Sequence, residues 1–296
     1  MAAIDVLENT VLIMTMGFIA GLLVGDLPFS TEMATGSMMV MMTFSMVGLR
    51  FRDIDLRRMI RPICAALFFT YVLGAGITLL MGWPFDSEVW HGWVMVAAVP
   101  SAISVVPFSF LLGGRTEDSL VATAMVYLTA LIITPVMTFM LIGEAVEPIG
   151  LAQYTLLLIF VPILISRPLC RLEMDHRARV AIINLAFLFL ILGIIGSNRS
   201  SLFGSPDLVI AIALVTILRT VGIGLVLARV LRSRLREDRV GPVLFTTFKN
   251  NGIAATLAVA LFGHVAALPA MISMVGEIAW FIALRRMFPP TGKGQA

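Results

Sequence analysis

Charged residues are scarce in this chain, at 13% of 296 positions against 59% hydrophobic ones. A soluble domain needs about a quarter of its residues charged, so that class is excluded. Cysteine is nearly absent: Cys64 and Cys170 lie inside apolar stretches and in no metal-ligand spacing, so neither a disulfide framework nor a metal site is expected. Acids are missing from the middle of every apolar run except one, which holds Glu277. What the chain has is apolar length, with a mean hydropathy of +0.99. Segments of roughly 17 to 25 residues, enough for a hydrocarbon core of about 30 Å, can be drawn at 9–25, 33–49, 60–82, 91–112, 118–142, 151–170, 180–197, 206–229, 241–263 and 265–287. The sequence therefore predicts an all-α integral membrane protein of ten transmembrane helices. The first segment is followed by another span with no small-residue cleavage site between them, so it reads as a retained helix and not as a signal peptide.

The few charges give the orientation. The connections at 50–61, 113–117, 167–179 and 229–240, with the tail from Arg285, hold eighteen of the twenty-one Lys and Arg residues, all on one side of a ten-span chain. The opposite connections carry Asp86, Glu88, Glu144, Glu147 and Asp207 against a single Arg199. The positive-inside bias then puts both termini in the cytoplasm of an inner or plasma membrane. The pI of about 9.2 is a consequence of topology, and no nucleic-acid partner follows from it.

Three charges remain inside the spans: Arg219 in the eighth, Lys249 in the ninth and Glu277 in the tenth. At 1.5 Å per residue from the cytoplasmic ends, Lys249 lies about 12 Å deep and the other two about 15 Å. A lysine or arginine stem reaches only about 6 Å, although snorkelling to the interface is the alternative reading for both cations. If these spans pack together, Glu277 neutralises one cation and the remaining positive charge favours an anion. An arginine paired to Glu277 purely for helix packing is an equally natural reading.

Residues 241–263, GPVLFTTFKNNGIAATLAVALFG, set Lys249, Asn250, Asn251 and Gly252 into the middle of an apolar helix. Hydrocarbon offers no hydrogen-bond partners, so this cluster is tolerated only where protein or a water-filled cavity receives it. Residues 95–112, MVAAVPSAISVVPFSFLL, interrupt the fourth segment with Pro100 and Pro107, and place Ser101, Ser104 and Ser109 near the carbonyls those prolines free. A packing kink is the alternative there. The two interruptions lie about 148 residues apart, and the segments around them keep that offset. Two five-helix halves result, about 1–145 and 146–296, within one transporter domain. An odd number of spans per half inserts the second half upside down, the inverted-repeat arrangement of many secondary transporters.

These motifs resemble the bile acid:sodium symporter family. Its ninth helix carries E-x-G-x-Q-N-[ST]-G-[LI] followed by A-x-x-L-A, and KNNGIAATLAVALF matches the second half without a gap. Its fourth and fifth helices carry a pattern like P-G-G-x-x-S-N…G-D-x-x-L-S-x-x-x-T…T-P, a frame that PSAISVV…GGRTEDSLVATAM…TP follows. The resemblance implies a panel domain of helices 1, 2, 6 and 7, and a core of helices 3–5 and 8–10 in which helices 4 and 9 unwind and cross. It also implies sodium held by a helix-4 Ser-Asn pair, a Ser and Thr on helix 5, and the Glu and Gln of helix 9.

The departures from that frame matter as much. The helix-5 pair survives as Ser119 and Thr123, on one helical face, and the helix-9 amide as Asn250. The helix-4 pair aligns with Val105 and Val106, the Glu with Phe245 and the Gln with Lys249. Sodium wants oxygen ligands, as other hard cations do, and these residues supply none, so coupling through two sodium ions is not expected. The Lys249 ammonium can instead fill a sodium position, donating to Ser119, Thr123 and freed carbonyls; its proton is alternatively the coupling ion. Ordinary back-bonding to their own helix is the other reading of Ser119 and Thr123. The methionines at 38–46 read as packing, with lining of the pathway as the alternative. The expected function is alternating-access transport of a small organic anion, with no enzymatic chemistry and no cofactor. A cation/proton exchanger using Lys249, Arg219 and Glu277, or a membrane sensor that transports nothing, are the competing readings.

Overall fold

Local chemistry marks the helix ends in the computed structural model, which describes residues 3–47, 56–143, 147–172 and 174–288. Arg50, Arg52, Glu144 and the tail beyond residue 288, all used in the charge argument, lie outside that set. After a short helix at Ala3–Glu8, the Asn9 side chain accepts from Leu12 N and caps α1, Thr10–Val24. Asp175 caps His176–Ser197 in the same way through Ala178 N, as expected of Asn and Asp at N-caps. Gly25 and Gly143 end their helices at φ of 77° and 70°, a left-handed geometry that costs glycine little.

The remaining helices are α2 (Ser30–Val47), α3 (Arg58–Gly82), α4a (Ser87–Ala98), α4b (Val105–Leu111), α5 (Thr116–Ile142), α6 (Pro148–Leu169), α7 (His176–Ser197), α8 (Pro206–Ser233), α9a (Arg236–Thr247), α9b (Asn251–Phe262) and α10 (His264–Met287). A short helix at Arg199–Gly204 precedes α8. Six of these, α3, α5, α6, α7, α8 and α10, are long and apolar enough to cross a membrane. The other drawn segments are also helical. The first and the second half of the ninth are shorter, α2 is more polar, with Glu32 in its first turn, and the fourth and ninth are broken. Three long helices contain π-helical turns, at Phe68–Gly74 in α3, Leu156–Phe160 in α6 and Leu218–Gly222 in α8.

Two packing groups are present. In one, α7 lies against α1 and α2, and α6 against α2. In the other, α4a is the centre, packed by α3, α5, α9b and α10. Its last turns are sealed: Trp93 through Val99 have no exposed surface. Glycine allows one of these approaches, since a Cβ on Gly92 would overlap the Ala266 carbonyl oxygen of α10. The groups meet where α2, α6 and α7 touch α9b, where α6 touches α5 and where α7 touches α10.

Two of the basic connections lie against each other. Arg115 pairs with Glu237 and Asp238, each at 3.0 Å, and Arg236 Nε donates to Leu112 O at 2.9 Å, so connections 113–117 and 229–240 share a side. Arg177 forks onto Glu8 at 2.7 and 2.8 Å, bringing connection 167–179 beside the first helix. Arg199 lies by Gly25, in a separate group.

Candidate functional site at the crossing of two broken helices

Helix α4a stops because Val99 precedes Pro100. A residue before proline is pushed out of the α region, and Val99 is extended at φ −72°, ψ 157°. Helix α9a stops at Thr247 without a proline; Phe248 is extended, and the Asn250 side-chain oxygen accepts from Ile253 N at 3.1 Å to begin α9b. The two extended stretches cross and pair. Asn250 N donates to Pro100 O at 2.9 Å and Ala102 N to Phe248 O at 3.1 Å, forming one antiparallel bridge between Ser101 and Lys249. The bridged residues are 148 positions apart, the offset that separates the two interruptions in the sequence.

Lys249 extends from this bridge toward the end of α4a. The last carbonyls of any helix lack an intrahelical donor, and here every one of 97 to 99 finds a side chain. Lys249 Nζ donates to Ala97 O at 2.8 Å and Val99 O at 2.9 Å, and Thr134 Oγ1 donates to Ala98 O at 2.8 Å. A third Nζ bond reaches Thr70 O at 3.2 Å, in the π-turn of α3. The Tyr71 ring covers the ammonium with its centroid 5.2 Å away, within the range of a cation–π contact. The lysine is 1% exposed. A cation at a helix C-terminus also meets the negative end of the helix dipole.

The expectation that the ammonium bonds to hydroxyls of α5 is corrected. Ser119 Oγ donates to Ser109 Oγ at 2.9 Å, and Thr123 Oγ1 is buried with no hydrogen-bond partner among the described residues. The three carbonyl oxygens use all three ammonium hydrogens and leave none for a hydroxyl.

Arg219 and Glu277 do come together. Arg219 Nη2 lies 3.1 Å from Glu277 Oε1, in a pair whose side chains are 1% and 9% exposed. The same oxygen accepts the backbone N–H of Lys249 at 3.1 Å. Glu277 thus pairs with Arg219, and no acid among the described residues forms an ion pair with the Lys249 ammonium. The Asn251 carboxamide stands beside Glu277.

Asn250 faces the other packing group. Its Nδ2 donates to Tyr127 OH at 2.6 Å and to Met42 Sδ of α2 at 3.3 Å. A Cβ on Gly252 would lie 2.8 Å from Met38 Sδ, so the missing side chain admits α2 to the first turn of α9b. Methionines 38 and 42 are therefore packed against the crossing. Pro100 and Ser101 sit at the bridge, with Ser101 Oγ buried and unpartnered among the described residues, while Ser104 is half-buried at the start of α4b.

Freed carbonyls at the helix-4 break do receive the ammonium, as the sequence suggested, but Thr70, Tyr71 and Tyr127 were not foreseen. Tyr71 and Tyr127 had a usable signal, as two of only three tyrosines, both mid-segment. The Thr70 carbonyl had none, because backbone oxygens are present at every residue.

No curated protein matches the chain. The model of the sodium bile acid symporter family matches residues 35–206, more than half of the chain and ending before the ninth segment. The match runs from α2 to the start of α8, through the helix-4 break and the Ser119–Thr123 pair. With apolar membrane-length helices and a fourth helix broken at Pro100, the chain belongs to the sodium bile acid symporter family.

Proposed function

We propose that this protein carries a small organic anion across an inner or plasma membrane by alternating access, with the Lys249 ammonium standing where relatives hold sodium. The observation that carries this reading is the ammonium bonded to Ala97 O, Val99 O and Thr70 O. Carbonyl oxygens at a helix terminus are ligands for a bare alkali cation in broken-helix transporters, and a lysine supplies the same charge without leaving. Arg219 and Glu277 cancel, so the crossing keeps one net positive charge. The first turn of α9b and the Asn250 amide lie beside that charge, and the positive end of a helix dipole favours an anion.

The architecture proposed is ten spans in two inverted five-helix halves, with α1, α2, α6 and α7 as a panel and the other helices as a core. The 148-residue offset of the Ser101–Lys249 bridge supports the inversion, because an antiparallel bridge has local two-fold symmetry. The clustering of connections 113–117 with 229–240, and of 167–179 with the first helix, supports basic connections facing the cytoplasm. The moving interface would then run between α2 and α9b, where Met38 and Met42 meet Gly252 and Asn250.

Uptake of a panel of labelled organic acids into proteoliposomes tests the proposal. Accumulation should persist when sodium is replaced by choline at constant pH. Collapse of uptake in choline would show that a mobile sodium ion is still required. Movement of ions alone would favour the cation/proton exchanger, and no flux at all the sensor.

A further inference from the structure

Glu277 belongs to a polar stripe on α10. Ser273 Oγ meets Thr216 Oγ1 of α8 at 3.4 Å, Glu277 meets Arg219 of α8, and Trp280 Nε1 donates to Thr247 Oγ1 at the end of α9a at 3.1 Å. Residues 273, 277 and 280 are four and three apart and so share one helical face. The opposite face, with Met271, Met274, Val275 and Ile278, lines an apolar cleft against α1 and α7 of about 340 Å³. The acid is thus turned into the contact among α8, α9a and α10, away from that cleft.

At the same place the backbone has lost a partner. Had the helix continued, the Lys249 N–H would bond to Phe245 O, but that oxygen accepts from Thr70 Oγ1 at 3.3 Å. A buried N–H left unpaired is costly, and Glu277 Oε1 receives it at 3.1 Å. We infer that Arg219 and Glu277 are positioning residues: Glu277 holds the Lys249 peptide at the break, Arg219 holds Glu277, and together they aim the ammonium at the α4a carbonyls. The inference rests on the reading of Lys249 as the resident cation, and it removes Arg219 and Glu277 from the candidate substrate ligands. The orphan N–H selects an acceptor on α10, and the acceptor's charge requires the arginine.

Hydrogen–deuterium exchange of the purified full-length protein, followed in peptides spanning 248–253, tests this without any substrate. Two double variants separate charge balance from hydrogen bonding. Arg219→Met with Glu277→Gln removes both charges and keeps a carbonyl acceptor; Arg219→Met with Glu277→Leu removes both charges and the acceptor. The first should exchange within a few-fold of wild type at the break, and the second about tenfold faster than the first, as expected when a buried N–H loses its acceptor. Equal exchange in the two doubles would overturn the positioning role. If the Leu double does not fold, Glu277→Asp shortens the reach with charge retained and should by itself speed exchange at Lys249. An unchanged rate in the Asp variant would count equally against it. Exchange is read without flux, so a failure of the transport proposal would leave this result standing.

Discussion

A lysine whose three ammonium hydrogens meet Ala97 O, Val99 O and Thr70 O, under the Tyr71 ring, has no donor left for a substrate. Its influence on an anion is therefore through charge and through the geometry it imposes on the crossing. Lys249→Gln keeps hydrogen-bonding capacity but deletes the cation, and should reduce uptake at least about tenfold. Lys249→Arg keeps the charge, but a planar fork fits a compact carbonyl socket poorly, so part of the activity should remain. Failure of both variants to accumulate substrate against a gradient, with exchange retained, would make the lysine proton the coupling ion. Wild-type uptake by the Gln variant would reduce Lys249 to packing. The sequence identified this residue because a cation deep in an apolar helix is conspicuous. That freed carbonyls would receive it was also legible; which ones was not, since they are contributed by segments 150 and 179 residues away.

At the scale of elements, the two breaks differ in how legible they were. Pro100 announces the first, because proline dictates the backbone of the residue before it. The second contains no proline and depends on Asn250 as a cap and on Glu277 from another helix. The junction of α4a with α10 is equally a tertiary matter, and it depends on Gly92. Gly92→Ala places a methyl group into the Ala266 carbonyl and within 2.9 Å of Pro269. It should destabilise the protein by about 1–3 kcal/mol, read as a lower melting temperature in detergent. Gly36→Ala, on an exposed face of α2 with nothing within 4 Å, is the control. Removing a helical glycine there should be neutral or stabilising by up to about 1 kcal/mol. Equal losses at both sites would mean that the α4a–α10 contact is not as close as described.

For the whole molecule, the arginine asymmetry makes a claim independent of the site. Reporter tags at residues 1 and 296 should both be read from the cytoplasm, and one at Asp86 from the exterior. An exterior C-terminus would remove the ten-span arrangement and the inverted halves with it. Class, approximate segments and sidedness are properties of composition and order along the chain, because transfer of apolar length and of charge into a bilayer is nearly additive over residues. Hence the sequence by itself determined an all-helical membrane protein, the two interruptions and the three buried charges within it. Only the tertiary structure decided which cation pairs with the acid and which is held by carbonyl oxygens. Pairing depends on which helices touch at what depth: α8 and α10 bring Arg219 to Glu277, while the crossing turns Lys249 toward the end of α4a.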